Sequence, residues 1–203
     1  MKPPEEFFED YQNMRTHLEW AQAGLGKGDD VAQGKLAVAG FREFYEKWQP
    51  KIRDPELRDG VEAVRESVAR LQRQLERIFL AHLHEVIEAR SDWWVSEQLF
   101  KSSLAFIKLM AVVPPQMRSD LEKIHRDSMG EEYEPTAEYQ DAEASANESE
   151  AKFRKALAAF EIDWPERVDA AMRARFEQLD GNGANLWQAE VAAQAEKLRC
   201  NTA

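Results

Sequence analysis

From Leu57 onward, a stripe that is apolar except at His82 recurs every three or four positions for eight turns: Leu57, Val61, Val64, Val68, Leu71, Leu75, Ile78, His82 and Val86. That spacing places them on one stripe of an α-helix, and nothing but a helix can sustain it. Asp54-Pro55 supplies a start signal, with proline at the first helical position, where its missing N–H costs nothing. The spacing predicts a helix from there to about Arg90, roughly 50 Å long at about 1.5 Å per residue. So long an amphipathic helix needs other helices along its stripe, which sets the fold class before the rest of the chain is read.

The same period recurs on both sides. Phe7, Tyr11, Met14, Leu18, Ala21 and Leu25 stripe a first helix that GLGKG (residues 24–28) ends. Asp30 and Gln33 have the form of a capping box for a second, with Val31, Val38, Phe41, Tyr45 and Trp48 inward as far as Pro50. Ser91-Asp92 offers a cap for a fourth, running to Pro114-Pro115. It is apolar nearly all round (Trp94, Val95, Leu99, Phe106, Ile107, Leu109, Met110, Val113), which predicts a buried helix at the centre of a bundle. A fifth follows with Met117, Leu121 and Ile124 inward, and Thr136 caps a sixth whose apolar residues begin only at Phe153. Asp163 and Glu166 bracket Trp164-Pro165 as the cap of another, which DGNG (residues 180–183) ends with a left-handed Gly181 or Gly183. Asn185 and Gln188 introduce the last. Alternating Val/Ile/Thr-rich runs are missing. The expectation is an all-α, multi-helix bundle or irregular helical stack of about eight helices. It is organised as a helical core of hairpins over 1–130, an acidic loop and polar helix start over 131–150, and C-terminal helices over 151–203 packing on the same domain.

Composition narrows the setting. A chain of 203 residues, 43% hydrophobic with six tryptophans, has the makings of a globular core. The one cysteine, Cys200, cannot form an intramolecular disulfide or a cysteine-based metal cluster, which suits a reducing, cytoplasmic compartment. The acidic N-terminus lacks the basic and then apolar pattern of a secretion signal. The most apolar stretch, Leu99 to Val113, carries Lys101 and Lys108 and is too short to span a bilayer about 30 Å thick. No membrane role is expected.

Motifs for chemistry are weak. Glu122 and His125 share a helical face in the Glu-x-x-His spacing that di-iron bundles use twice, but it occurs once here. His82 and His84 point about 200° apart on a helix and cannot share a metal. Asp-Gly-Asn-Gly lies in the register of a calcium loop whose first and twelfth ligands would be Gln178 and Ala189, neither a carboxylate. GLGKG lacks the phosphate-loop spacing. Ser102 and Ser103 have no identifiable base and fit hydrogen bonds back to the preceding helical turn. No cofactor and no metal is expected. The arginines on the long helix (Arg65, Arg70, Arg73, Arg77) alternate with Glu62, Glu66 and Glu76, and at a net charge of −11 direct nucleic-acid binding would meet long-range repulsion.

The remaining signal is charge. Nine acids and no lysine or arginine lie between Arg126 and Lys152, and without them the chain would carry 29 acids against 27 bases. A concentrated block of charge makes a directional field that steers a basic partner onto one side of a protein. Tyr133 and Tyr139 within the block are the residue type that anchors an interface after steering. The expected partner-binding residues are therefore Glu131, Glu132, Tyr133, Glu134, Glu138, Tyr139, Asp141 and Glu143. The expected role is a non-catalytic protein-binding module that docks a basic protein, either an inhibitor of the kind that neutralises a toxin or enzyme, or an adaptor or chaperone. Two alternatives stand beside it. One is a helical enzyme using carboxylates with Glu122 and His125, and the other is an acidic mimic of nucleic acid that binds a DNA-handling protein. A solvated linker, its acids complementing the helix dipole, is the plainer reading of the block.

Overall fold

The computed structural model describes residues 4–25, 31–129 and 135–200. Among them are seven α-helices and no strand: α1 (Glu5–Leu25), α2 (Val31–Trp48), α3 (Pro55–Val112), α4 (Pro115–Met129), α5 (Pro135–Asp163), α6 (Ala170–Glu177) and α7 (Gly181–Cys200), with a 3-10 turn over Gln49–Lys51. The all-α expectation holds. The chain forms two compact units, residues 1–82 with 194–203, and residues 83–193. The division falls within α3 and within α7, both of which are continuous helices across it.

In the first unit, α1 and α2 form a hairpin whose core follows the expected stripes in part: Tyr11, Val38 and Tyr45 are half-buried rather than inward, and Gly34, Ala37 and Phe44 take the buried places on α2. Phe7, Met14, Leu18, Ala21 and Leu25 are buried from α1, and Val31, Gly34, Ala37, Phe41, Phe44 and Trp48 from α2. Phe7 is the hub, with ring centroids 5.7 Å from Phe44 and 5.5 Å, edge-on, from Trp48. Gly34 lets α2 come close to α3, because a Cβ there would meet Leu75 at 2.8 Å. Asp54 starts α3 as expected, its Oδ1 accepting from the Glu56 N–H at 3.0 Å. From this start Val61, Val64, Val68, Leu71 and Leu75 are buried in turn.

The second unit departs from expectation at several points. Ser91-Asp92 does not begin a new helix, since α3 runs unbroken to Val112; the apolar period continues through the polar pair, and tertiary packing overrides the local cap. The end of α3 is not the centre of a bundle. Leu99, Leu109 and Val112 are exposed, and Met110 is the one residue buried between Leu99 and Val113. In α4, Met117 and Ile124 are exposed rather than inward, and Leu121 is half-buried. The helix is turned so that His125 faces its neighbours. Helix α6 is capped by Asp169, whose Oδ1 accepts from the Met172 N–H at 2.8 Å, and not by Asp163, which ends α5 and is followed by a turn over residues 165–167. Asp180 caps α7 by accepting from the Gly183 N–H at 2.7 Å. DGNG is thus a helix start, and neither Gly181 nor Gly183 is left-handed. Gly181 serves packing instead, since a Cβ there would lie 2.9 Å from the Trp94 ring.

Phe153, Phe160, Trp164, Phe176 and Trp187 make the core of this unit. Phe176 stacks on Trp187 at 4.9 Å and meets Phe160 edge-on at 6.2 Å.

Candidate partner-binding surface

From Pro135 onward the acidic stretch is helical, as the first half of α5. Pro135 opens α5 at a position where proline is tolerated, and alanines and serines carry it as far as Phe153. Three contacts orient this first half. The Tyr139 ring lies 5.2 Å from Phe100 of α3, Ser96 and Ser149 hydroxyls are 3.1 Å apart, and Trp93 stacks on Phe153 at 5.4 Å. Ala146 is buried between them. Small residues let α5 lie close to α3 without an apolar stripe, which is why the sequence shows nothing there to bury.

Those contacts sort the expected site residues. Glu138 and Tyr139 are half-buried and turned toward the unit's own helices. Glu138 Oε1 lies 2.9 Å from His125 Nε2, and the His125 ring stacks on Phe106 at 6.0 Å. Asp141 and Glu143 are exposed and make no ion pair among the described residues. Glu131, Glu132, Tyr133 and Glu134 lie outside the described residues. Glu148, further along, is exposed and paired with Lys152 at 2.8 Å, and that lysine holds its carboxyl below the usual range. On the opposite edge Glu150 pairs with Arg154 at 3.5 Å.

Behind this surface lies a residue that sequence reasoning missed. Arg90 is 6% exposed. Its Nε donates to the Phe176 carbonyl at 3.0 Å and its Nη2 to the Glu177 carbonyl at 3.2 Å, so a side chain of α3 closes the C-terminal end of α6. The guanidinium also sits 4.4 Å from the Trp93 ring centre. Arg154 approaches the same ring at 5.2 Å and is ion-paired with Glu177. Burial pushes the Arg90 guanidinium below its ordinary value, while Glu97 and Glu177 oppose the shift. The alternation of arginine and glutamate along α3 gave no sign that this one turns inward.

For catalysis the geometry offers little convergence. His125 pairs with Glu138 from the next helix, and among the described residues Glu122 forms no ion pair with it. A cleft of about 350 Å³ lies in the other unit, lined by Phe41, Arg42, Tyr45, Arg65, Val68 and Gln72 among others. Among the described residues no group of three His, Cys, Asp or Glu side chains could hold a metal ion, and no helix is long and apolar enough to cross a membrane.

No protein-family model, curated protein or solved structure matches the chain.

Proposed function

We propose that this protein is a non-catalytic binding module of a reducing, cytoplasmic compartment that docks a basic protein on its acidic surface, as an inhibitor or an adaptor. The observation that carries this reading is the state of Asp141 and Glu143. Both are exposed and without an ion pair among the described residues, in a stretch with no base until Lys152. Some surface acids elsewhere, such as Glu6, Glu62, Glu97 and Glu161, are matched by nearby lysine or arginine; other exposed acids are unpaired too, and what sets Asp141 and Glu143 apart is the run of sequence without lysine or arginine around them. Unmatched carboxylates keep their field for an incoming partner and require no existing ion pair to be broken on binding. Glu138 and Tyr139 act from below, holding α5 in place, and Glu131, Glu132 and Glu134 add to the acidic charge of the sequence before it, with Tyr133 as a further docking residue.

The test is purification of the tagged protein from its host at low and at high salt, followed by titration of the recovered partner against purified variants. A stoichiometric basic protein should be retained at low salt. Its affinity should fall about tenfold or more when Asp141→Asn and Glu143→Gln are combined with neutralisation of Glu131, Glu132 and Glu134. Retention indifferent to salt and to these changes would remove the acidic surface from the binding site.

A further inference from the structure

The cleft between α2 and α3 in the first unit has an apolar floor. Phe41 and Val68 are buried there, and Val38 and Ala69 are half-buried beside them. Its volume, about 350 Å³, is at the low end for ligand sites, which run from about 300 to 1,000 Å³. At about 30 Å³ for each water-sized group it admits roughly a dozen non-hydrogen atoms. A small metabolite fits that space and a nucleotide does not.

The charged groups on the rim are in two different states. On α3, Arg65 is engaged: Glu62 Oε2 accepts from Arg65 Nη1 at 3.1 Å, and Glu62 Oε1 accepts from the Tyr45 hydroxyl at 3.2 Å. The guanidinium is thereby held 5.7 Å from the Tyr45 ring centre. Glu62 and Arg65 together contribute no net charge to the site, and with Tyr45 they fix the wall. On α2, Arg42 and Glu46 also line the cleft. Both are exposed and form no hydrogen bond or ion pair among the described residues.

Arg42 and Glu46 stand one helical turn apart on the same lip, a spacing that sets Cβ atoms about 5–6 Å from each other. Direct pairing gains little at an exposed site of this kind, so a ligand seated between them displaces little. A simple carboxylate would meet Arg42 and be repelled by Glu46, and a simple amine would meet the reverse. A molecule with both charges on one carbon satisfies both side chains. The remaining substituent on that carbon then points to the floor, where only apolar groups avoid burial without a hydrogen-bond partner.

We infer that this cleft binds a free α-amino acid with an aliphatic or aromatic side chain, its carboxylate on Arg42, its ammonium on Glu46 and its side chain against Val38, Phe41 and Val68. A peptide terminus does not meet the requirement, because it carries only one of the two charges beside its side chain. The site lies wholly in the first unit and stands independently of the acidic-surface reading above.

Isothermal titration calorimetry of the full chain tests this, with leucine and phenylalanine beside glycine, phenylpropionate and phenethylamine. Leucine and phenylalanine should bind with Kd below about 1 mM. Glycine lacks the side chain, and the other two lack one charge each, so all three should bind at least about tenfold more weakly. Arg42→Gln and Glu46→Gln should each weaken phenylalanine binding about tenfold or more, with helical circular dichroism unchanged because both side chains are exposed. The two variants should differ in what they still accept: Glu46→Gln should bind phenylpropionate as well as phenylalanine, and Arg42→Gln should do the same for phenethylamine. A wild type that binds neither amino acid up to about 10 mM would overturn the inference. Binding indifferent to both substitutions would overturn it as well, and phenylpropionate held by the wild type as tightly as phenylalanine would overturn the role of Glu46.

Discussion

Arg90 donates two hydrogen bonds to the last carbonyls of α6, which lies more than eighty residues further along the chain, with Nε to Phe176 O at 3.0 Å and Nη2 to Glu177 O at 3.2 Å. A helix end that would otherwise be closed by water or by a glycine is closed by a buried cation. Hydrogen bonds from charged donors contribute about 1.5–3 kcal/mol each.

Arg90→Ala should therefore destabilise the second unit by about 3 kcal/mol or more, since two carbonyls lose their donor and the Trp93 ring loses its cover. Arg90→Lys should recover only part of this, because an ammonium cannot reproduce the planar fork. Urea unfolding followed by tryptophan fluorescence measures both. Equal stability of Arg90→Ala and the wild type would show that the two bonds contribute nothing net.

Two glycines should respond in opposite directions to the same change. Gly181→Ala places a methyl group 2.9 Å from the Trp94 ring, whose rigid indole cannot step aside as a flexible side chain does. A loss of about 1–3 kcal/mol is expected. Gly40→Ala in α2 meets nothing within 4 Å and should gain up to about 1 kcal/mol from helix propensity. Thermal unfolding of the two variants beside the wild type tests the pair.

Asp10 gives the first unit a dependence on acid. Its Oδ2 accepts from Lys47 Nζ at 2.8 Å and from the buried Trp48 indole at 2.9 Å, and these hold its carboxyl below the ordinary value of 3.8. A group with a lowered folded pKa contributes stability that is fully present above its unfolded pKa and is lost as the pH falls through the folded one. The wild type should lose this contribution below about pH 4. Asp10→Asn should be less stable than the wild type at neutral pH, and the difference should shrink below that point. A stability gap constant from pH 7 to pH 3 would contradict this. Asp10→Ala should cost more, about 1–3 kcal/mol, because the Trp48 N–H is then buried without an acceptor.

The sequence by itself determined the helical class, the α1–α2 hairpin and the buried stripe of α3 from Val61 to Leu75. Each is a local statement: a period of three to four in apolar residues needs only the geometry of one helix to be read. The concentration of acid between Arg126 and Lys152 was equally legible, because charge is a matter of counting. What the tertiary structure alone decided is which way each helix is turned. Met117 and Ile124 have the same spacing as a core stripe, yet contacts of His125 with Phe106 and Glu138 turn them outward. Glu138 and Tyr139 read as solvent-facing members of an acidic block, but Phe100 and His125 draw them in while Asp141 and Glu143 stay exposed. Ser91-Asp92 had the local form of a helix start, and packing on both sides of it carried α3 through. Gly181 was suited to a turn and is needed instead for the approach of Trp94. In every one of these cases the deciding partner lies at least a dozen residues away in sequence or on another helix, and a local pattern carries no information about which distant surface will arrive against it.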